Sequence, residues 1–231
     1  MKAPERGALP RGLAATLGRA YGRLTETVQG LSDADFQRET RCPGLPVGPM
    51  LVHLLFDAER ALVAFASPAA AEADRDFVSY WQDFPPQPEG DTGFERGVAA
   101  AYRKPGVLVQ HWREVSEAAV RAAATALATK GHRIETQGHV LQASDFVATL
   151  VLEATVHHLD LIVGLPGAPE PDPEGLQVTA RTLDGLFGPE AWDVIDWDTT
   201  TYILKATGRL PLDEDDQDML GPYAKRLPLL G

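Results

Sequence analysis

The chain has 231 residues, enough to bury a sizeable core as one large domain or as one domain with an appendage. With 33 acidic against 21 basic residues its net charge is −12, and no basic patch stands out, which argues against nucleic acid as a partner. The single cysteine, Cys42, excludes an intrachain disulfide framework and fits a reducing cytoplasm, the expected location. Met1 to Arg11 is polar and broken by Pro4 and Pro10, unlike a signal peptide. No apolar run reaches the length of a membrane span, so a membrane is not expected as a partner either.

Taken in order, Leu13, Leu17, Tyr21, Leu24 and Val28 have helical spacing and stop at Gly30. Ser32 is placed to cap a short helix over Asp33 to Gln37. A loop with two prolines, Arg41 to Val47, precedes a long helix from about Gly48 to Phe65. Ser67 to Asp91 reads as a short helix followed by a loop, and Cys42, in the turn-like Arg41-Cys42-Pro43-Gly44, reads as structural. Thr92 to Thr129 is helical with an interruption at Pro105-Gly106. His132 to Gln142 alternates as a small hairpin or extended connection.

Ser144 is then expected to cap a helix running to about Val163 and ending at Gly164 to Gly167. The proline-rich stretch from Pro166 to Pro173 marks a boundary, dividing a bundle over 1–165 from a helical C-terminal extension over 166–231. In that extension Leu176 to Phe187, Trp197 to Thr207 and Glu214 to Lys225 suggest two or three helices. The acidic run Asp213 to Asp216 with Asp218 reads as solvated surface. The expected fold class is all-α, a four-helix bundle with a helical extension.

The stretch from Leu150 to Val163 is apolar almost all the way round, the pattern of a helix buried at the centre of a bundle. It nevertheless carries Glu153, His157, His158 and Asp160. Buried ionisable groups are expensive unless each finds a charge, a hydrogen bond or a metal. Glu153 and His157, four residues apart, share one helical face, whereas His158 points elsewhere. In the earlier long helix His53 interrupts a similar apolar run. His53, Glu153 and His157 together form a ligand set of the kind that holds catalytic zinc, with one position open; nickel and iron share the ligand preference.

Asp57 and Asp160 stand four and three residues after His53 and His157, spaced to accept the free ring N–H and fix the tautomer. Asp160 is equally placed to cap, or to pair with, an arginine. His111, His132 and His139 read as surface residues.

At these residues the chain resembles the DinB-like superfamily, and within it the mycothiol-dependent maleylpyruvate isomerase group. The resemblance is carried by Leu31-Ser32-Asp33-Ala34-Asp35-Phe36 with Thr40 to Gly48, by the helix with His53, and by Glu153-Ala154-Thr155-Val156-His157-His158-Leu159-Asp160. It implies a four-helix bundle holding a divalent metal, commonly zinc, at positions matching His53, Glu153 and His157. The chain has Leu45 where the family pattern has a tryptophan, and Arg181, Arg209 and Arg226 are unranked candidates for a catalytic arginine.

The expected function is that of a metal-dependent thiol S-transferase or isomerase. A low-molecular-weight thiol would serve as cosubstrate and a small electrophilic organic molecule as substrate. The alternatives are a metal-dependent hydrolase and a non-catalytic metal- or partner-binding bundle. Bundles of this type can pair through helix faces, so a homodimer is compatible with the sequence.

Overall fold

The computed structural model describes residues 9–84, 92–189 and 194–230. Among them the chain is all-α apart from one small hairpin. Four helices make the bundle: α1 (Leu13–Val28), α2 (Val47–Phe65), α4 (Pro105–Ala128) and α5 (Ala143–Ile162). The short α3 (Gly93–Ala101) leans on α2. The interruption expected near Pro105 is real: Pro105 opens α4, where its missing N–H costs nothing.

The buried stripe of α1 is the one its spacing marks, from Leu13 through Leu17, Tyr21 and Leu24 to Val28. Trp112 of α4 is fully buried against it, edge-on to Tyr21 with ring centroids 5.1 Å apart. The Trp112 indole N–H donates to Thr25 Oγ1 at 2.9 Å, so the large ring is buried without an orphaned donor.

Helix α5 is the axis of the molecule. Fifteen of its twenty residues are buried, because it has partners on opposite sides. On one side Val147, Val151 and Leu161 join the bundle core. On the other, Leu152, Val156 and Leu159 meet a second core built by the C-terminal helices α6 (Pro173–Phe187), α7 (Thr199–Ala206) and α8 (Glu214–Leu220), through Leu183, Phe187, Ile203 and Leu220. Each such large apolar side chain contributes roughly 1.5–3 kcal/mol on burial, which is why a helix this apolar has no free face.

The hairpin pairs β1 (Arg133–Thr136) with β2 (His139–Gln142), antiparallel, with Thr136 opposite His139. Both turn residues, Gln137 and Gly138, have positive φ, the primed turn whose twist matches the strands. Glu135 N–H donates to Ser67 O and Ala69 N–H to Arg133 O, which docks the hairpin on the chain leaving α2.

Several local expectations are corrected. Ser144 does not cap α5: the helix starts at Ala143 after Gln142 and has no side-chain cap. The stretch after Ser67 forms no α-helix; it runs irregularly to a 3-10 turn at Ser79–Asp83, and the expected loop from 85 to 91 lies outside the described residues. The acidic run is not all solvated. Asp213 and Asp216 make a reciprocal cap for α8, and the buried Asp216 accepts from Trp197 Nε1 at 2.8 Å and from Lys205 Nζ. A charge pair of this kind is legible only once α7 and α8 are known to touch.

Candidate metal centre

Two polar strips face each other between α2 and α5, each with i, i+4, i+7 spacing on an otherwise apolar helix. From α2 come His53, Asp57 and Arg60; from α5 come Glu153, His157 and Asp160. The strips bring the sequence trio together: one ligand atom each from His53, Glu153 and His157 lies within 4.8 Å of the others. His157 Nε2 is 3.0 Å and His53 Nε2 3.8 Å from Glu153 Oε2, and the two imidazoles meet edge to face. His53 Nε2 is buried with no hydrogen-bond partner. An orphaned nitrogen beside a carboxylate and a second imidazole is a donor set that suits a divalent cation.

Asp160 takes on both roles its position allowed. His157 Nδ1–H donates to Asp160 Oδ2 at 3.0 Å, and the Arg209 guanidinium donates to the same carboxylate from Nε at 3.0 Å and Nη2 at 3.1 Å. Cys42 Sγ–H also donates to Asp160 Oδ2 at 3.2 Å. Cys42, His157 and Asp160 form a second possible ligand group, but Asp160 is already engaged by Arg209. Asp57 stands differently. Its Oδ1 accepts from Arg60 at 2.9 Å, and its partnerless Oδ2 is 3.6 Å from His53 Nε2, the nitrogen that faces Glu153.

The electrostatics follow from that arrangement. Burial alone would raise the Glu153 carboxyl, but the His157 imidazole at 3.0 Å and the His53 imidazole beside it hold it far below the usual carboxylate range. Burial would likewise lower His157; its bonds to Asp160, Cys42 and Glu153 push it well above an ordinary imidazole. Burial raises Asp57 to about 6, helped by the nearby Glu153 charge. Asp160 goes the other way, to about 2, since its bond from His157 and the Arg209 charge overcome burial.

The trio lines a cavity of about 410 Å³. Its walls include Tyr80, Trp81 and Phe84 from the 3-10 turn region, Phe146 and Leu150 from α5, and Leu230. Thr207 and Arg209 reach it from the chain after α7, so the C-terminal portion contributes to the site. Of the three arginines the sequence left unranked, Arg209 is the one at the cavity. Spacing could not find it, because it reaches α5 across 49 residues of chain. Nor could spacing find the aromatic wall. His158 is buried away from the trio, its Nε2 2.8 Å from Thr27 Oγ1.

An all-α bundle with a two-histidine, one-carboxylate seam beside a cavity defines a helical bundle with a candidate metal-ligand group. More narrowly, residues 17–162 match the family described as the mycothiol maleylpyruvate isomerase N-terminal domain, a DinB-like family, and the chain belongs to it. Neither the curated proteins nor the solved structures compared with the chain gave a match. No helix among the described residues is long and apolar enough to cross a membrane.

Proposed function

We propose that the protein binds a divalent metal, zinc before nickel or iron, through His53, Glu153 and His157. With it the protein would use a low-molecular-weight thiol, mycothiol by family, for S-transfer to a small electrophile or for its isomerisation. The observation that carries this reading is the buried, partnerless His53 Nε2 facing Glu153 and His157 at the edge of a cavity. When bound, the metal supplies a Lewis acid that lowers the pKa of the thiol, so that thiolate exists at neutral pH.

The chain's own residues do the rest. Asp160 accepts the Nδ1 proton of His157, which leaves His157 Nε2 on the Glu153 side. Arg209 holds Asp160 in turn, and Asp57 Oδ2, free of hydrogen bonds and lining the cavity, is positioned to take the thiol proton. Tyr80, Trp81, Phe146 and Leu150 make part of the wall apolar, which favours a less solvated and so more nucleophilic thiolate. In a transfer, the sulfur lone pair forms the S–C bond and the leaving group departs with the electrons of the bond it breaks. In an isomerisation, addition places the double-bond electrons on a conjugated oxygen, the resulting single bond rotates, and loss of thiolate restores the double bond. No protein nucleophile is required.

Cobalt substitution tests the reading. Adding thiol to the cobalt-loaded protein is expected to produce a near-ultraviolet sulfur-to-cobalt absorption band. A cobalt spectrum unmoved by thiol would favour water as the nucleophile and a hydrolytic reaction.

A further inference from the structure

Another cavity, of about 360 Å³, opens where α3 gives way to α4 and where α2 begins. It has no lining residue in common with the cavity at the metal seam. Its charged lining is Arg96 from α3, Arg103 and Lys104 from the turn into α4, and Asp33. That leaves a formal excess of two positive charges, in a chain whose net charge is −12. Among the described residues none of the three cations has a side-chain hydrogen bond or ion pair. Arg60 and Arg209, at the metal seam, are both paired.

The uncharged lining is chiefly apolar: Phe36 and Leu108, both buried, with Pro46, Pro49 and Pro105. Of its polar members, Tyr102 is already engaged. Its hydroxyl is 2.6 Å from His111 Nδ1, and His111 Nε2 is in turn 3.8 Å from Glu59. Two helices also begin at this cavity, and neither α2 nor α4 has a side-chain cap or an acidic residue in its first turn. Their positive ends therefore add to the charge of the three cations instead of offsetting it. In α2 the Val47 N–H is taken by Arg38 O, but the N–H of buried Gly48 has no acceptor among the described residues.

We propose that this cavity binds a small organic phosphate ester, its dianionic phosphate held by Arg96, Arg103 and Lys104 and its apolar body set against Phe36 and Leu108. The excess of two charges matches a dianion, which a carboxylate or a sulfate ester does not supply. Guanidinium forks suit phosphate oxygens, and the apolar lining favours an ester over the inorganic ion. The proposal stands apart from the thiol reading, since no residue of the metal seam takes part.

The probes are phenyl phosphate, phenyl sulfate and inorganic phosphate, titrated into the full chain at about pH 7.5, where phenyl phosphate is mainly a dianion. Phenyl phosphate is expected to move the amide resonances of Ala99 to Leu108 saturably, and to bind at least about threefold more tightly than either other probe. Added salt should weaken it. Arg96→Gln and Arg103→Gly should each weaken it roughly three- to tenfold. Arg103 has φ of 58°, which glycine adopts freely, so that variant removes the side chain without straining the turn.

Unmoved resonances over Ala99 to Leu108 overturn the proposal, as do variants that bind as the wild type does. Shifts confined to the surroundings of His157 would put the phosphate at the metal seam, which also overturns it. Phenyl sulfate bound equally well contradicts selection of a dianion, and inorganic phosphate bound equally well contradicts the ester. Vesicles of phosphatidylcholine and phosphatidic acid should leave the protein in solution. Co-sedimentation that Arg103→Gly abolishes would make a lipid headgroup the source of the phosphate and overturn the soluble ester.

Discussion

Arg209 and Asp160 form a buried ion pair, Nε to Oδ1 at 3.0 Å, that ties the chain beyond α7 to the carboxylate orienting His157. Asp160 is fully buried, so its charge depends on the partners it has. Arg209→Met should therefore destabilise the fold by about 3 kcal/mol, since removing one member of a buried pair leaves the other uncompensated. Urea unfolding checks it. Loss of less than about 1 kcal/mol would mean that His157 and Cys42 suffice to hold Asp160.

Asp160→Asn keeps an oxygen for the His157 Nδ1–H but loses the charge. Zinc affinity should fall roughly 10- to 100-fold, the usual effect of weakening the group behind a ligating histidine. Competition with a chromogenic chelator reads this directly, and circular dichroism should stay helical.

Gly164, just past α5, marks a place where backbone meets backbone. A Cβ there would lie 2.5 Å from Glu39 O, a contact that requires the segment leading to Cys42 to shift. The same segment is tied to α5 by Arg41 N–H to Asp160 O at 3.2 Å and Arg38 Nη1 to Gly164 O at 3.1 Å. Gly164→Ala should cost about 1–3 kcal/mol, read as a lower thermal midpoint. It should also perturb Cys42 reactivity toward a thiol reagent.

Asp145, in the first turn of α5, has its carboxyl raised to about 6 by burial and by the nearby Asp76. A raised acid disfavours the charged form. The resulting penalty on folding is absent below about pH 4, grows as pH rises and is complete above about pH 6. Asp145→Asn should thus leave stability unchanged near pH 3 and raise it above pH 7. The gain should be about 1 kcal/mol, since the group is partly exposed and screened. Chemical denaturation at the two pH values decides the sign.

Much of this architecture could be read from the chain itself. The α1 stripe, the Pro105 break and the apolar α5 follow from local spacing, which a helix expresses directly. Glu153 with His157 was legible for the same reason, since four residues of helix put both on one face. His53 was legible as an oddity in an apolar run, and its meeting with Glu153 required only that α2 and α5 pack side by side. What local pattern cannot encode is contact between distant segments. Arg209 on Asp160, Cys42 beside the same carboxylate, Lys205 on Asp216, and Tyr80 and Trp81 as a cavity wall all depend on tertiary placement. Asp57 shows the limit within one helix. Its spacing pointed to the free ring nitrogen of His53, but the ring's orientation puts it beside Nε2 instead.

The central claim is that His53, Glu153 and His157 together hold one divalent cation, and equilibrium zinc binding across two variants tests it most directly. Wild-type protein should bind one zinc per chain, whereas His53→Ala and Glu153→Ala should each lose at least about a hundredfold in affinity while their circular dichroism remains helical. A folded wild type that binds no zinc, or a His53→Ala protein that binds it as tightly as wild type, would contradict the account.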